Sequence, residues 1–394
     1  MKIPRWQRAV FAVVIGVTAL GLIVPPAQAA TAAVVCRVTG PVCDRETTPL
    51  SDGDSADPSA IFDYTSGDTS TYQVFSSADE YAGTSTPSAD HPTRDDITRE
   101  KLSYSCAGTS CTWISGPSYD AVGAPRWDTM HCPMQAPGVF KVGNRYVMWF
   151  DMANRQAPES CFAGPFLVPP PADAAYYCLY YATASSLVGN WSVPDTSPVV
   201  CSPDGAIDPQ PFSHDGANYL LWKEGNVTGG PAATIEMAKL DAAGTALVPN
   251  STVVIASQLA YTGPTGSFGY YIRVSTLEAP APLITASGDF ELLFSAGNWK
   301  TSGYQLGLVN CGPWDFIRAG SCDRTPIGDA PILASNDFPP RTNLGPGSGS
   351  IVRTPNGTAW IVYAAWDGCT GYWNSAGDCT FGERRVHVAE LRVG

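Results

Sequence analysis

The chain is poor in charge. Only 15% of its 394 residues are Asp, Glu, Lys or Arg, and 23 basic side chains face 36 acidic ones. A formal charge of −13 disfavours nucleic acid and anionic membrane as partners, because such a surface repels polyanions. Helical signal is also missing. No window carries a long apolar stripe at 3.6-residue spacing with caps, so helix should be scarce. Histidine is limited to His91, His131, His214 and His387. There is no HExxH, no Cys-x-x-Cys pair, no P-loop and no dinucleotide fingerprint. Their absence argues against zinc sites and nucleotide chemistry. The turn around Ser348 lacks the G-x-S-x-G spacing of a hydrolase nucleophile. Beyond the N-terminus no apolar run is long enough to span a bilayer.

The first residues do carry such a run. Lys2, Arg5 and Arg8 precede "AVFAVVIGVTALGLIV", and small residues at Ala27 and Ala29 follow the Pro25-Pro26 break. This order reads as a secretory leader over residues 1–29, with an uncleaved anchor as the rival. Residues 30–55 are expected to form an N-terminal strand and linker, with a strand near Val34–Val38 helping closure, and residues 56–394 one large domain. Twelve cysteines all follow the leader, as expected of a chain exported to an oxidising compartment. Short separations suggest Cys36–Cys43, Cys106–Cys111, Cys311–Cys322 and Cys369–Cys379. Cys132, Cys161, Cys178 and Cys201 remain, and spacing does not pair them.

What the sequence has in plenty is one repeated phrase. It reads "ADPSAIFDYTSGDTSTYQVFSS" from Ala56, "QAPGVFKVGNRYVMWFDM" from Gln135 and "IDPQPFSHDGANYLLWKEG" from Ile207. It returns as "LEAPAPLITASGDFELLFSAG" from Leu277 and "GSGSIVRTPNGTAWIVYAAW" from Gly347. Each copy has a Pro or Gly entry, an apolar strand, a polar turn and an aromatic-rich second strand, which is a hairpin pattern. The copies start roughly 70–80 residues apart. "YYCLYYATAS", "TIEMAKLD", "YQLGLVNC" and "RRVHVAELRV" suit the outer halves of the same sheets. The stretch 79–100 is polar and aperiodic and reads as a loop. The expected fold is all-β, a five-bladed β-propeller with blades starting near Asp57, Gln135, Ile207, Leu277 and Gly347. Three copies carry an acid at or just before the Pro: Asp57, Asp208 and Glu278. In a ring, equivalent positions converge on the axis.

These residues resemble glycoside hydrolase family 43. "ADPSAIF" is similar to the strand start that carries the family's catalytic base, "GAIDPQPF" to its third-blade acid, and "TLEAPAPL" to the turn that holds its general acid. The pairing of "IDP" with "LEAP" looks most like arabinanases and arabinofuranosidases. Two positions depart from the pattern. Gly138 stands where the second blade often has Asp, and Ser348 where the fifth often has His. The resemblance implies a secreted glycosidase cleaving an arabinose-containing polysaccharide by acid/base hydrolysis with inversion. Arabinofuranosidase and endo-arabinanase are both open, and a non-catalytic carbohydrate-binding propeller is the alternative.

A glycosidic bond needs an acid for the leaving oxygen and a base for the attacking water. The resemblance gives Glu278 the first role and Asp57 the second. Asp208, ionised, would keep the proton on Glu278. Inversion places the two reacting carboxyls about 6.5–9.5 Å apart. The paired carboxyls imply an optimum at mildly acidic to neutral pH. Trp127, His131, Phe150, Trp222, Arg273 and Trp299 are the candidate substrate-binding residues, since sugar C–H faces stack on aromatic rings. No cofactor or transition metal is expected to be required, with calcium admitted as a structural aid. A monomer is expected, with no membrane partner after leader cleavage.

Overall fold

Near-continuous apolar runs such as "YVMWF" and "WIVYAAW", joined by tight turns, suit hairpins buried on both faces. The computed structural model describes residues 42–43, 50, 55–63, 71–77, 97–107, 110–122, 134–153, 177–194, 198–225, 232–261, 276–299, 301–324, 327, 331–335, 344–367 and 383–392. These form a five-bladed β-propeller with almost no helix. A short strand, β1 (Val42–Cys43), belongs to the last blade. Blade 1 is β2 (Ala56–Phe62), β3 (Thr71–Ser77), β4 (Ile97–Ala107) and β5 (Ser110–Val122). Blade 2 is β6 (Met134–Val142), β7 (Arg145–Ala153), β8 (Tyr177–Ala184) and β9 (Val200–Cys201). Blade 3 is β10 (Ala206–His214), β11 (Ala217–Glu224), β12 (Thr234–Leu240) and β13 (Val253–Ser257). Blade 4 has three strands, β14 (Leu277–Ile284), β15 (Asp289–Ala296) and β16 (Gln305–Pro313), with Leu333 bridging Leu306 on its outer side. Blade 5 is β17 (Leu344–Arg353), β18 (Ala359–Asp367) and β19 (Glu383–Leu391).

Among the described strands every pair is antiparallel, and every pair but β1–β19 is consecutive in the chain. Val42 pairs with Leu391 and Cys43 with Glu390, so β1 closes the ring as the outer strand of blade 5. Residues 34–38, expected to help closure, lie outside the described residues. The expected blade starts agree with the strands to within three residues. The expected loop at 79–100 ends early, because Ile97–Glu100 belong to β4, where Ile97 and Glu100 are buried.

Five hydrophobic clusters occupy the five blade interfaces, which is how a ring buries both faces of each sheet. Phe75 and Ile97 meet Val139, Met148 and Phe150 between blades 1 and 2. Val147, Trp149, Leu220 and Trp222 fill the next interface. Leu221, Ile235, Phe290 and Leu292 follow between blades 3 and 4. Leu293, Leu306, Ile361 and Tyr363 join blades 4 and 5. Tyr72, Leu102, Trp360 and Val362 close the circle. Neighbours along β7 alternate between two clusters, as the two-residue side-chain period requires.

Two disulfides are described. Cys311–Cys322 forms as its spacing suggests. Cys178–Cys201 joins directly paired residues of β8 and β9, giving a bond that spacing left open. Cys106 and Cys111 are register partners across the β4–β5 turn. Cys36, Cys132, Cys161, Cys369 and Cys379 lie outside the described residues.

Candidate active site

The inner strand of every blade breaks register at its entry. A bulge lies between Ala56 and Ser59, Gln135 and Gly138, Ile207 and Gln210, Glu278 and Ala281, and on both sides of Gly347. One non-glycine residue in each bulge is left-handed: Asp57 (φ 50), Ala136 (φ 47), Asp208 (φ 57), Ala279 (φ 49) and Ser348 (φ 52). Such backbone costs about 1–3 kcal/mol per residue and survives only where the surroundings enforce it. In four blades the next residue is proline, whose missing N–H suits a position where the ladder is already broken. The five turns converge, and the inner strands touch in a closed circle. A small open pocket lies among them, lined by Asp57, Ala136, Asp208, Gln210, Ala279 and Ser348 with neighbouring Pro and Gly residues.

The three sequence acids do not occupy one equivalent position. Asp57 and Asp208 are the left-handed residues themselves, whereas Glu278 precedes Ala279, which takes that place in blade 4. Glu278 is therefore set beside the pocket lining and is 8% exposed. Its carboxylate is held at both oxygens. The Lys223 ammonium donates to Oε2 at 2.9 Å and the Tyr304 hydroxyl to Oε1 at 2.8 Å. The Thr276 hydroxyl also reaches Oε2 at 3.4 Å. Burial first, then the nearby Glu278 charge, pushes the Tyr304 phenol well above its ordinary value, so it stays a donor. The Arg384 guanidinium lies over the Tyr304 ring, 5.2 Å from its centre.

Adjacent blades are tied through the same bulges. In the first four blades, the second strand places one residue opposite the residue that precedes the left-handed position: Ser77, Asp151, Lys223 and Ser295. Each side chain reaches into the next blade. Ser77 Oγ accepts from the Ala136 N–H at 2.9 Å, Asp151 Oδ2 from Asp208 at 3.0 Å, and Ser295 Oγ from Ser348 at 2.8 Å. In blade 3 the position is Lys223, which binds Glu278, and Asp208 Oδ2 accepts the Ala279 N–H at 2.9 Å instead. Ser77 also donates to Asp57 Oδ2 at 3.2 Å.

Burial, then Glu278 and Asp57, raise Asp208 from 3.8 to about 8. Lys223 and the Ala279 N–H oppose that shift without cancelling it. Asp208 thus holds a proton through neutral pH in the free site, where the sequence implied an ionised side chain. The cause is shared confinement: an acid with two acidic neighbours and little water keeps its proton.

Of the candidate sugar-binding residues, Trp127, His131 and Arg273 lie outside the described residues. Phe150 and Trp222 do not face the pocket. Phe150 is fully buried between blades 1 and 2, and Trp222 is 2% exposed between blades 2 and 3. Strand alternation turns both rings toward a neighbouring blade. Trp299 is partly exposed just beyond β15, on the Glu278 side of blade 4, and stacks on Trp366 with centroids 6.3 Å apart. Asp151, Lys223 and Tyr304 were not singled out from sequence. The first two had a signal, a charge inside the apolar strands "VMWFDM" and "YLLWKE".

Of the two departures from the family pattern, Gly138 has a local cause. A Cβ on Gly138 would collide with the Pro209 carbonyl oxygen and the Pro211 ring, so blades 2 and 3 approach too closely for Asp there. Ser348 lines the pocket, and its hydroxyl lies 3.4 Å from that of Tyr304.

The family profile described as Glycosyl hydrolases family 43 matches residues 47–390, and the chain belongs to that family. No curated protein matches it significantly in sequence. Solved structures share its fold. An α-L-arabinofuranosidase from Lactobacillus brevis is 16% identical with a TM-score of 0.55, over 87% of this chain and 94% of that one. An endo-arabinase from Bacteroides thetaiotaomicron VPI-5482 is 13% identical with a TM-score of 0.56, over 88% and 98%. A xylan β-1,4-xylosidase from Bacillus halodurans C-125 is 17% identical with a TM-score of 0.56, over 88% of this chain and 54% of that one.

Proposed function

We propose that this glycoside hydrolase is exported and cleaves an arabinose-containing polysaccharide with inversion. The observation that carries the catalytic reading is the meeting of Asp57 and Asp208 in one pocket with Glu278 beside it. Keeping three acids together costs energy, and a surface that only bound neutral sugar would gain nothing from it. Arabinose is favoured by the "IDP" and "LEAP" turns.

In the proposed reaction Asp57 takes a proton from water as the water oxygen bonds to the anomeric carbon. Glu278 gives its proton to the departing glycosidic oxygen as that bond breaks. Asp208 and Glu278 work with one proton between them. It rests on Asp208 in the free site and on Glu278 when a sugar oxygen is in place. Lys223, Tyr304 and Thr276 fix the Glu278 carboxyl, and Ser77 orients Asp57. Loss of the shared proton sets the upper pH limit near the Asp208 value of about 8.

The leader and the cysteine content support secretion. The protein lacking residues 1–29 should be assayed on arabinan, arabinoxylan, xylan and aryl arabinofuranosides, with product size and anomeric form measured. Release of arabinose or arabino-oligosaccharides is expected. Xylose products alone would move the substrate assignment, and sugar binding without products would establish a binding propeller instead.

A further inference from the structure

Four equivalent positions tie one blade to the next, and two of them are serine. Ser77 and Ser295 each accept one backbone N–H from the following bulge, so a hydroxyl is sufficient for the bond. At the interface leading to Asp208 the position is Asp151. Asp151 is 1% exposed; its Oδ2 accepts the Asp208 N–H, and its Oδ1 has no hydrogen-bond partner among the described residues. Asp208 in turn accepts the N–H of Ala279, the residue after Glu278. Carboxyl-to-amide bonds thus run from blade 2 through blade 3 to the general acid's own turn.

We propose that Asp151 is a positioning residue, a neutral buried acid that anchors the Asp208 turn and through it the Ala279 turn beside Glu278. The inference rests on the hydrolase reading and extends it to a residue outside the pocket lining. A carboxylate with one hydrogen bond and one dry, unpartnered oxygen is too costly to keep charged. Its ionisable neighbours on the strands packed against it are Asp208 on β10, Asp57 on β2 and Lys223 on β11. Two of these are acids, and the Lys223 ammonium is bound to Glu278. Burial first and Asp208 second push Asp151 well above the usual carboxylate range. As the neutral acid it offers the same acceptor that serine offers elsewhere in the ring. It adds no negative charge behind Asp208.

Two measurements test this, one of them without substrate. At about pH 7 the infrared C=O stretch of protonated carboxyls is compared for wild type and Asp151→Asn. Wild type should show a protonated carboxyl that Asp151→Asn lacks. Identical spectra would overturn the neutral-acid assignment whatever the enzyme cleaves. On the polymer that wild type hydrolyses, Asp151→Ala should lower kcat by about tenfold with KM nearly unchanged, because the Asp208 N–H loses its acceptor. Asp151→Asn and Asp151→Ser should each keep kcat within about threefold of wild type, since both restore an acceptor. A wild-type kcat in Asp151→Ala would overturn the positioning role. So would a tenfold loss in folded Asp151→Asn and Asp151→Ser, a comparison that stands even where Asp151→Ala does not fold. If wild type cleaves nothing, the hydrolase reading fails while the infrared result stands on its own.

Discussion

Replacing Asp208 by Asn should make the protein more stable at alkaline pH while disabling it. The folded chain moves Asp208 from 3.8 to about 8, through burial and then the Glu278 and Asp57 charges. Between those values the folded state holds a proton that the unfolded chain has released. Stability from this site is therefore greatest below the unfolded value and falls as pH rises through about 8. Fully transmitted, that shift would cost about 6 kcal/mol above pH 8. Asp208 is only partly buried by surface area and opens to the pocket, so solvent absorbs much of this, and about 2–3 kcal/mol is the expected cost. Asparagine still accepts the Ala279 N–H and never ionises. Thermal unfolding should give the variant a Tm about 3–4 °C above wild type at pH 9, with the gap closing toward pH 4. Hydrolysis by the same variant should fall steeply, with its basic limb displaced to lower pH. A Tm difference that stays constant from pH 4 to 9 would refute the reasoning.

Gly138→Asp restores the residue common in the family but drives a side chain into the Pro209 carbonyl oxygen. It should lower Tm by several degrees, as backbone overpacking does, and an unchanged Tm would show that the two blades can part. Tyr304→Phe removes the donor to Glu278 Oε1 while keeping the ring under Arg384. Its kcat should drop by about tenfold with a small change in KM, measured on the natural polymer. Chelator-treated protein should keep the activity of untreated protein at each pH from about 4 to 9, and activity that returned only with zinc or manganese would contradict the carboxyl mechanism.

The blade entries were legible because a proline or glycine beside an alternating strand has few other uses. Asp57 and Asp208 were legible for the same reason: each precedes the proline that follows a left-handed residue. Glu278 stands one residue further from its proline, and that offset had no meaning in sequence alone: Ala279 rather than Glu278 takes the left-handed turn. The aromatic candidates fared worse. Phe150 and Trp222 sit in strands whose inward and outward faces are both packed by blades, so an aromatic there says nothing about the pocket. Asp151 and Lys223 carried a readable mark, a charge within an apolar strand. Their cross-blade partners depend on register, which sequence spacing leaves free by one residue. Tyr304 left no mark, because a tyrosine at the start of a strand is ordinary.

The central claim is that Glu278 delivers the proton to the leaving oxygen. Turnover of Glu278→Gln on the polymer that wild type cleaves tests it most directly. The amide keeps the shape of the side chain and cannot act as the acid. The account predicts a loss of kcat of about 100-fold or more, a binding constant for the polymer within a few-fold of wild type, and a smaller loss on an activated aryl glycoside whose leaving group needs little proton help. Cleavage of the natural polymer by folded Glu278→Gln at the wild-type rate would contradict it.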